Sequence, residues 1–587
     1  MKSFEKLIKK KNFKVINFLD TLDLKKKKTY LKLFENKFFF SKDLNKKKKN
    51  FLKSKLKILE RKILFKLSKS LNEIHNTKYS SKFWDILLGH WINYYVGSVY
   101  RHYSNINHLN KVNKIKVKNL GRGDFNYTIH GTEDFIFLTN NFNWNRNIIF
   151  QICNQLKSRN QYYNKKFSVK KSFEIKKDIQ VNDLNYKNIL KKLYNFLCEF
   201  LKNDNEPFIQ GTYLNRIDEF LLKLRFSFLP KYWLQKKFIK IRKDKEKRLL
   251  IYRKMISFKS NNKLEKILCN LIHDNLPTFF LEGFKRNLSL MQSVKWPKKP
   301  KFIFTSNNFE TDEIFKLYSA INIEKKIKYI VGQHGNIYGT HFISSDYTEI
   351  RTSDKFISWG WKTHKKIIPS FMFSKKNNNI FPSKSGKILF IISPHFHNYN
   401  TYNKYSNMVY KLKKNIELLN NLPKNIKDNI FIRIIPSQTK KEFKEFFYRN
   451  DLFFLDHEFF LRKYVKNIQF DKRDKKLDYI LGDYSLVLHN YDGTSFNDTA
   501  YHNFPSIALW YSSLDNYTSS AKKIYKNLFR NNIIHFTNDS VNTFLQKNFK
   551  DNYFYWWNNK KVKLSMKNFT EMYAKRNKTN NKIANFF

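Results

Sequence analysis

Short apolar runs alternate with amphipathic stretches twice over in the second half of this chain, and that alternation fixes its fold class. Lys301-Phe-Ile-Phe-Thr305 reads as a strand, Glu310–Tyr318 as a helix, and Tyr329-Ile-Val331 and Lys355-Phe-Ile-Ser-Trp359 as further strands. After a polar bridge at Lys375–Ser385 the pattern restarts. Strands are expected at Lys387–Ile392 and Ile430–Ile435, helices at Tyr402–Asn420 and Gln438–Tyr448, and short strands at Tyr479–Leu481, Leu486–Leu488 and Ile507–Leu509. Strands separated by helices cross over and pair in parallel. The expected fold is α/β, with two Rossmann-like doubly wound units joined by the polar bridge and facing a cleft.

The first unit carries an unusual turn. Only 14 of 587 residues are glycine, yet three of them fall in Gly332-Gln-His-Gly-Asn-Ile-Tyr-Gly339, directly after the strand at 329–331. Glycines let a backbone turn sharply or approach a ligand closely. A strand ending in Gly332-Gln333-His334-Gly335 sets an ionisable imidazole at the carboxyl edge of a sheet, where open α/β folds bind ligands. A plain tight turn with a carbonyl-capping histidine is the alternative.

The second unit places polar groups at its own strand ends. Ser393-Pro-His395 follows the strand at 387–392, and Arg433 lies within the strand before Pro436. Asp492-Gly-Thr-Ser-Phe-Asn-Asp498 follows the strand at 486–488. Gly493 permits a turn, and Thr494 and Ser495 open a helix whose N-terminus suits a phosphate. Asp498, about one turn later, is placed to accept sugar hydroxyls. Ordinary N-capping by Thr494 or Ser495 is the competing reading.

The first half is helical and basic. Residues 1–75 show Leu, Ile and Phe at three- and four-residue steps among lysines, which reads as basic amphipathic helices with a solvated face around a modest core contact, binding to a membrane surface being the sharper alternative. Phe83–Tyr95 is bulky on nearly every face, so Trp84 and Trp91 are expected in a core and His90 in a structural role. Asp134-Phe-Ile-Phe-Leu138 looks like a short strand, and Gly211-Thr-Tyr-Leu214 like a break between helices. The expected division is a basic extension at 1–75, a first Rossmann-like acceptor domain at 76–380, a donor-nucleotide domain at 381–545 and a helical tail at 546–587.

Charge opens a different class of function. Lys and Arg number 113 against 48 Asp and Glu, a net +65, which invites phosphate partners. The excess is mostly lysine in a chain rich in Asn, Ile, Phe and Tyr, all with A/T-rich codons, and no nucleic-acid module is recognisable. Those points argue against nucleic acid as the primary partner and leave an anionic membrane face or a phosphate-bearing substrate. Three scattered cysteines, Cys153, Cys198 and Cys269, offer neither a zinc pattern nor a disulfide framework. No signal peptide and no run of 18 apolar residues is seen, so the expectation is a cytoplasmic protein, with peripheral contact at the inner membrane face.

The segments Trp84-Asp-Ile-Leu-Leu-Gly-His-Trp91, Leu281-Glu-Gly283, Gly332-Gln-His-Gly335 with Tyr338-Gly339, Ser358-Trp-Gly-Trp361 and Thr494–Pro505 together resemble a family of transferases encoded in bacterial O-antigen and surface-polysaccharide clusters. The similarity runs from about residue 80 to Trp556-Trp557. That family is similar to GT-B glycosyltransferases, which implies two Rossmann-like domains, the second binding the donor nucleotide. Where relatives carry a Glu after Thr-Thr-Phe-Leu, this chain has Asp498 after Thr494-Ser-Phe-Asn497, and Asn336 stands where a glycine is usual. Asn336 tolerates positive φ. The chain also resembles CDP-glycerol-type polyol-phosphate transferases in its Gly-flanked histidine and in Asp483-Tyr-Ser485. Ser393-Pro-His395 resembles, in reversed order, the His-Pro motif of CMP-sugar-using enzymes.

Transfer of a sugar from a nucleotide-sugar donor to a surface-polysaccharide or lipid-linked acceptor follows as the leading expectation. His334 is the candidate base or else a hydrogen-bonding partner of the donor phosphate or sugar, and Glu282 is the alternative base. Gln333, Gly335, Ser393, His395, Arg433, Gly493, Thr494, Ser495 and Asp498 are the candidate donor-binding residues. Arg433 and the 494–495 helix start would neutralise the diphosphate. No Asp-x-Asp pair lies at a strand end, so neither metal nor other cofactor is expected. A CDP-polyol phosphotransferase, a basic nucleic-acid-binding protein and an inactive membrane scaffold are the rival readings.

Overall fold

The computed structural model describes residues 46–111, 127–156, 193–341 without 195, 202 and 228, 347–392 without 376–377, 408–434, 444–446, 450, 455–511 without 473–474, 514, 517–549 and 552–577. Two parallel sheets organise it. Strands β1 (Phe208–Ile209), β2 (Phe302–Thr305), β3 (Lys328–Gly332), β4 (Lys355–Ser358) and β5 (Ile367–Pro369) lie side by side in that order. Strands β6 (Ile388–Ile392), β7 (Ile430–Ile434), β8 (Gln469–Phe470), β9 (Leu486–His489), β10 (Ser506–Leu509) and β11 (Ile534–His535) form the second sheet, ordered β11-β10-β9-β6-β7-β8. Every described pairing in both sheets is parallel.

The strand sequences explain why both faces are covered. Side chains alternate across a strand. In β6, Ile388, Phe390 and Ile392 enter one core while Leu389 and Ile391 enter another. In β2, Ile303 faces the large helical core and Phe302 and Phe304 the opposite one. Near-continuous apolar runs of this kind are what doubly covered parallel strands require.

The helices that matter for the site are α1 (Lys46–His75), α2 (Ser81–Lys111), α3 (Thr132–Leu138), α4 (Arg216–Phe226), α5 (Glu313–Glu324), α6 (Thr494–Tyr501) and α7 (Lys560–Tyr573). Trp84 and Trp91 of α2 are fully buried, as the all-round apolar pattern requires. Helix α7 and the residues after it join the two halves. Its last residue, Tyr573, accepts through O from Asn497 Nδ2 of α6 at 2.8 Å, and just beyond the helix Lys575 N–H donates to Trp359 O, which follows β4, at 3.0 Å.

Several expectations need correction. The second sheet is doubly wound, since the chain moves from β6 outward to β8 and then returns to β9 on the other side of β6. The first is not, because its strand order is sequential and never reverses among the described residues. Asp134–Leu138 lies within helix α3, where Glu133 and Asp134 favour the first turn and Thr132 N–H donates to Glu313 Oε1 at 2.6 Å. Tyr479–Leu481 forms 3-10 turns that cover the second sheet, with Ile480 and Leu481 packed against Leu389 and Val487. Gly211–Leu214 follows a strand, β1, whose two residues are too few to show a period. Helix α1, by contrast, makes the core contact expected of its segment, burying Leu56, Leu59, Ile63, Leu67 and Leu71 against the main core. Residues 1–45, 402–407 and most of 438–448 lie outside the described residues.

Candidate functional site

The turn after β3 is built by close packing. A Cβ on Gly332 would stand 2.4 Å from Ser306 Oγ and 2.6 Å from the Phe373 ring, so only glycine fits beside the end of β2. The Gln333 side chain ties the loop together. Its Oε1 accepts from Trp359 N–H at 3.0 Å and Trp361 Nε1 at 2.8 Å, and its Nε2 donates to Gly335 O at 2.9 Å. Gly339 has φ +71, and a Cβ there would fall 2.3 Å from the Trp361 ring. Positive φ appears at Ile337 (+70) and not at Asn336, an unfavourable place for a β-branched residue that the surrounding contacts impose.

His334 stands at the carboxyl end of β3 among aromatic rings, with Tyr213 at 5.7 Å, Phe309 at 5.6 Å and Tyr338 at 5.6 Å between centroids. Burial pushes its pKa down to about 4, against the pull of a hydrogen bond with the Ser306 backbone. The imidazole is therefore neutral at physiological pH. Behind it, Tyr338 Oη lies 3.5 Å from His334 Nδ1 and donates to Glu349 Oε1 at 2.5 Å. Burial raises the Glu349 carboxyl to about 7, with Glu310 adding to the effect and the Tyr338 bond opposing it. His90 Nε2 is 3.8 Å from Glu349 Oε2, and its ring stacks on Phe309 at 5.3 Å. Burial, then the nearby Lys316 and Arg351, hold His90 well below the ordinary imidazole range. Glu349 carried no motif in the sequence. Its signal, a glutamate eleven residues beyond Tyr338, becomes meaningful only once the loop folds back.

The second sheet meets this turn at its own carboxyl edge. Asn336 N–H donates to Thr494 Oγ1 at 3.2 Å, and Asn336 Nδ2 donates to Asp492 Oδ1 at 2.7 Å. Asp492 Oδ2 accepts from Tyr517 OH at 2.5 Å and lies 3.1 Å from His341 Nε2. Thr518 N–H donates to Thr340 O at 2.8 Å. The Gly332–Gly335 turn and the Gly493–Ser495 helix start, far apart in sequence, are thus in contact; Thr494 Oγ1 is 3.7 Å from where a Gly335 Cβ would be.

Helix α6 starts without a side-chain cap. Thr494 spends its hydroxyl on Asn336, and Ser495 Oγ sits 3.1 Å from His489 Nδ1 and donates to Tyr491 OH at 3.1 Å. The simple N-cap reading of these hydroxyls does not hold. A Cβ on Gly493 would fall 1.8 Å from the Tyr491 ring, so a glycine is required there. Burial brings His489 down to about 3.

The remaining described candidates are engaged in ion pairs. Asp498 pairs with Lys375 at 3.0 Å, and Lys375 also pairs with Asp478 at 2.6 Å. Burial raises Asp498 despite Lys375. Asp478 falls to about 2, because hydrogen bonds and charge from His502 and Lys375 outweigh its burial. Arg433 is committed to Asp471 and donates to Lys475 O at 2.6 Å. Both Glu282 oxygens are bound by Arg248, at 2.6 and 2.7 Å, and Oε1 also accepts from Asp244 N–H at 3.2 Å. That leaves His334 as the candidate base at the sheet edge. Ser393 and His395 lie outside the described residues. Among the described residues no three His, Cys, Asp or Glu side chains gather as a metal site.

A model of the LIC12162 family transferases matches residues 8–585, nearly the whole chain. The chain belongs to the LIC12162 transferase family. No curated protein matches it. Among solved structures, the crystal structure titled as the glycotransferase of kitacinnamycin is similar at 6% identity, over 49% of this chain and 75% of that one, with a TM-score of 0.26. This LIC12162 family member is thus a transferase, and it has the parallel α/β sheets expected of its sequence. No helix among its described residues is long and apolar enough to cross a membrane.

Proposed function

We propose that this transferase moves a sugar from a nucleotide-sugar donor to a surface-polysaccharide or lipid-linked acceptor, in a GT-B arrangement. The observation that carries the reading is the bond from Asn336 N–H to Thr494 Oγ1 at 3.2 Å, which joins the carboxyl edge of the first sheet to that of the second. Ligands of open α/β sheets bind outside such edges. In the second sheet the strand order reverses between β6 and β9, so the crevice lies where β9 runs into Asp492–Ser495.

In this reading the donor diphosphate lies at the start of α6, whose N–H groups and dipole favour anions. The acceptor hydroxyl oxygen attacks the anomeric carbon, and the bond from that carbon to the diphosphate oxygen breaks. The hydroxyl proton passes to His334, and the nucleoside diphosphate leaves with the bonding pair. A buried imidazole at about 4 is a weak base. A diphosphate beside it favours the protonated form and raises its basicity when donor is bound.

The test is a thermal-shift and turnover screen against UDP-, GDP-, dTDP-, CMP- and CDP-linked donors, using the wild type, His334→Gln and Thr494→Ala. One donor should raise Tm selectively. His334→Gln should keep that shift while losing turnover on the order of 10²–10⁴-fold. A product mass increment containing phosphate would replace glycosyl transfer by polyol-phosphate transfer. No shift with any donor would overturn both.

A further inference from the structure

Helix α4 carries its apolar stripe on the outside. Ile217, Phe220, Leu221 and Leu224 recur at steps of three and four, which places them on one helical face. They are 56, 43, 57 and 39% exposed. The opposite side buries Leu222 against the first sheet together with the Lys223 side chain. Lys223 pairs with Glu219 at 2.6 Å and stands 3.6 Å above the Tyr232 ring. A helix of a water-soluble domain normally does the reverse, with the charge out and the apolar stripe in.

A neighbouring helical turn at 196–200 also exposes apolar side chains, Phe196 and Phe200, at 62 and 76%. Both elements pack on the same residue, since Tyr232 lies under Lys223 and 6.3 Å from Tyr194. At 100° per residue, Arg216 and Arg225 fall on the two borders of the α4 stripe, and both are exposed. The patch also adjoins the candidate site. Tyr213, three residues before α4 begins, meets the His334 ring edge-on at 5.7 Å.

We propose that α4 and residues 196–200 dock on an anionic membrane surface, apolar side chains in the interface and arginines on the headgroups. Clustered apolar exposure on this scale marks an interaction surface. Arg216 on one border and Arg225, which shares the other with Asp218, complement anionic lipid in a chain of net charge +65. An in-plane amphipathic helix binds by this combination of apolar burial and cationic flanks. The docked face would bring a lipid-linked acceptor to His334, and that clause alone rests on the glycosyl-transfer reading.

The full-length protein is tested by co-sedimentation with vesicles of phosphatidylcholine alone and of phosphatidylcholine mixed with phosphatidylglycerol. The wild type should sediment with the mixed vesicles and much less with phosphatidylcholine alone. The double variant Phe220→Glu/Leu224→Glu should lose partitioning on the order of tenfold or more. Both positions are exposed, and unchanged Tm and unchanged stabilisation by the soluble donor would show that the variant is folded. Three results would each overturn the proposal. They are wild-type protein left in the supernatant, a variant that sediments like the wild type, and a wild-type dimer that the variant dissociates with no vesicle binding by either. Vesicle binding without any donor response would leave the docking surface standing and remove the glycosyl-transfer reading.

Discussion

Asn336 Nδ2 donates to Asp492 Oδ1 at 2.7 Å, a hydrogen bond that ties the turn of one sheet to the strand end of the other. The same carboxylate receives Tyr517 and His341, so a single aspartate gathers groups from both halves of the site.

Replacing that carboxylate should loosen the junction. Asp492→Ala leaves Asn336, Tyr517 and His341 without their shared acceptor, and hydrogen bonds to a charged group contribute about 1.5–3 kcal/mol each. A loss of about 2–4 kcal/mol in urea unfolding is expected. Asn336→Ala removes only one of these bonds and should cost less, about 1.5–2 kcal/mol. Equal, small effects for the two variants would show that Asp492 does not organise the junction.

Gly339→Ala places a Cβ 2.3 Å from the Trp361 ring at φ +71. Overpacking and the left-handed backbone together should cost about 1–3 kcal/mol in chemical denaturation. Gly482→Ala serves as the control, because its Cβ meets nothing nearer than 3.7 Å. The two variants should differ clearly in unfolding midpoint.

Glu349 gives a pH-dependent signature. Its folded pKa of about 7 lies above the ordinary 4.5, so the folded state keeps a proton that the unfolded state has released. The associated stability is fully present below pH 4.5 and is lost as pH rises through about 7. Glu349→Gln cannot ionise and escapes that loss. Relative to the wild type, the variant should gain up to about 3 kcal/mol between pH 4 and pH 8, read from paired urea curves. A pH-independent difference would place the proton elsewhere.

Glu282→Gln separates structure from chemistry. Removing one partner of the buried Arg248 pair should cost about 3–5 kcal/mol. Donor-dependent kcat, measured below the variant's Tm, should stay within about tenfold of the wild type. A stable variant with kcat reduced a thousandfold would make Glu282 the base after all.

The strands at 302–305, 328–332, 388–392 and 430–434 were legible because apolar residues dominate each and alternate ones serve different cores, Arg433 being the one charged residue inside the last. The short segment at 134–138 has the same look but too few residues to tell a strand from a helix, and the contact of Thr132 with Glu313 favours the helix. The 479–481 run is apolar for another reason, since it roofs the second sheet and does not extend it.

The site divides along the same line. The sequence alone identified the glycine-bracketed His334 and the Gly493–Ser495 helix start, because a residue without Cβ at a strand end leaves a local mark. It could not show that Asn336 meets Thr494, that Arg248 saturates Glu282, or that Glu349 stands behind Tyr338. Nor could the steps from Ile217 to Leu224 reveal that their stripe faces outward. Periodicity specifies that a helix has an apolar face, whereas which face is buried depends on neighbours distant in sequence, and only the tertiary structure brings those neighbours into place.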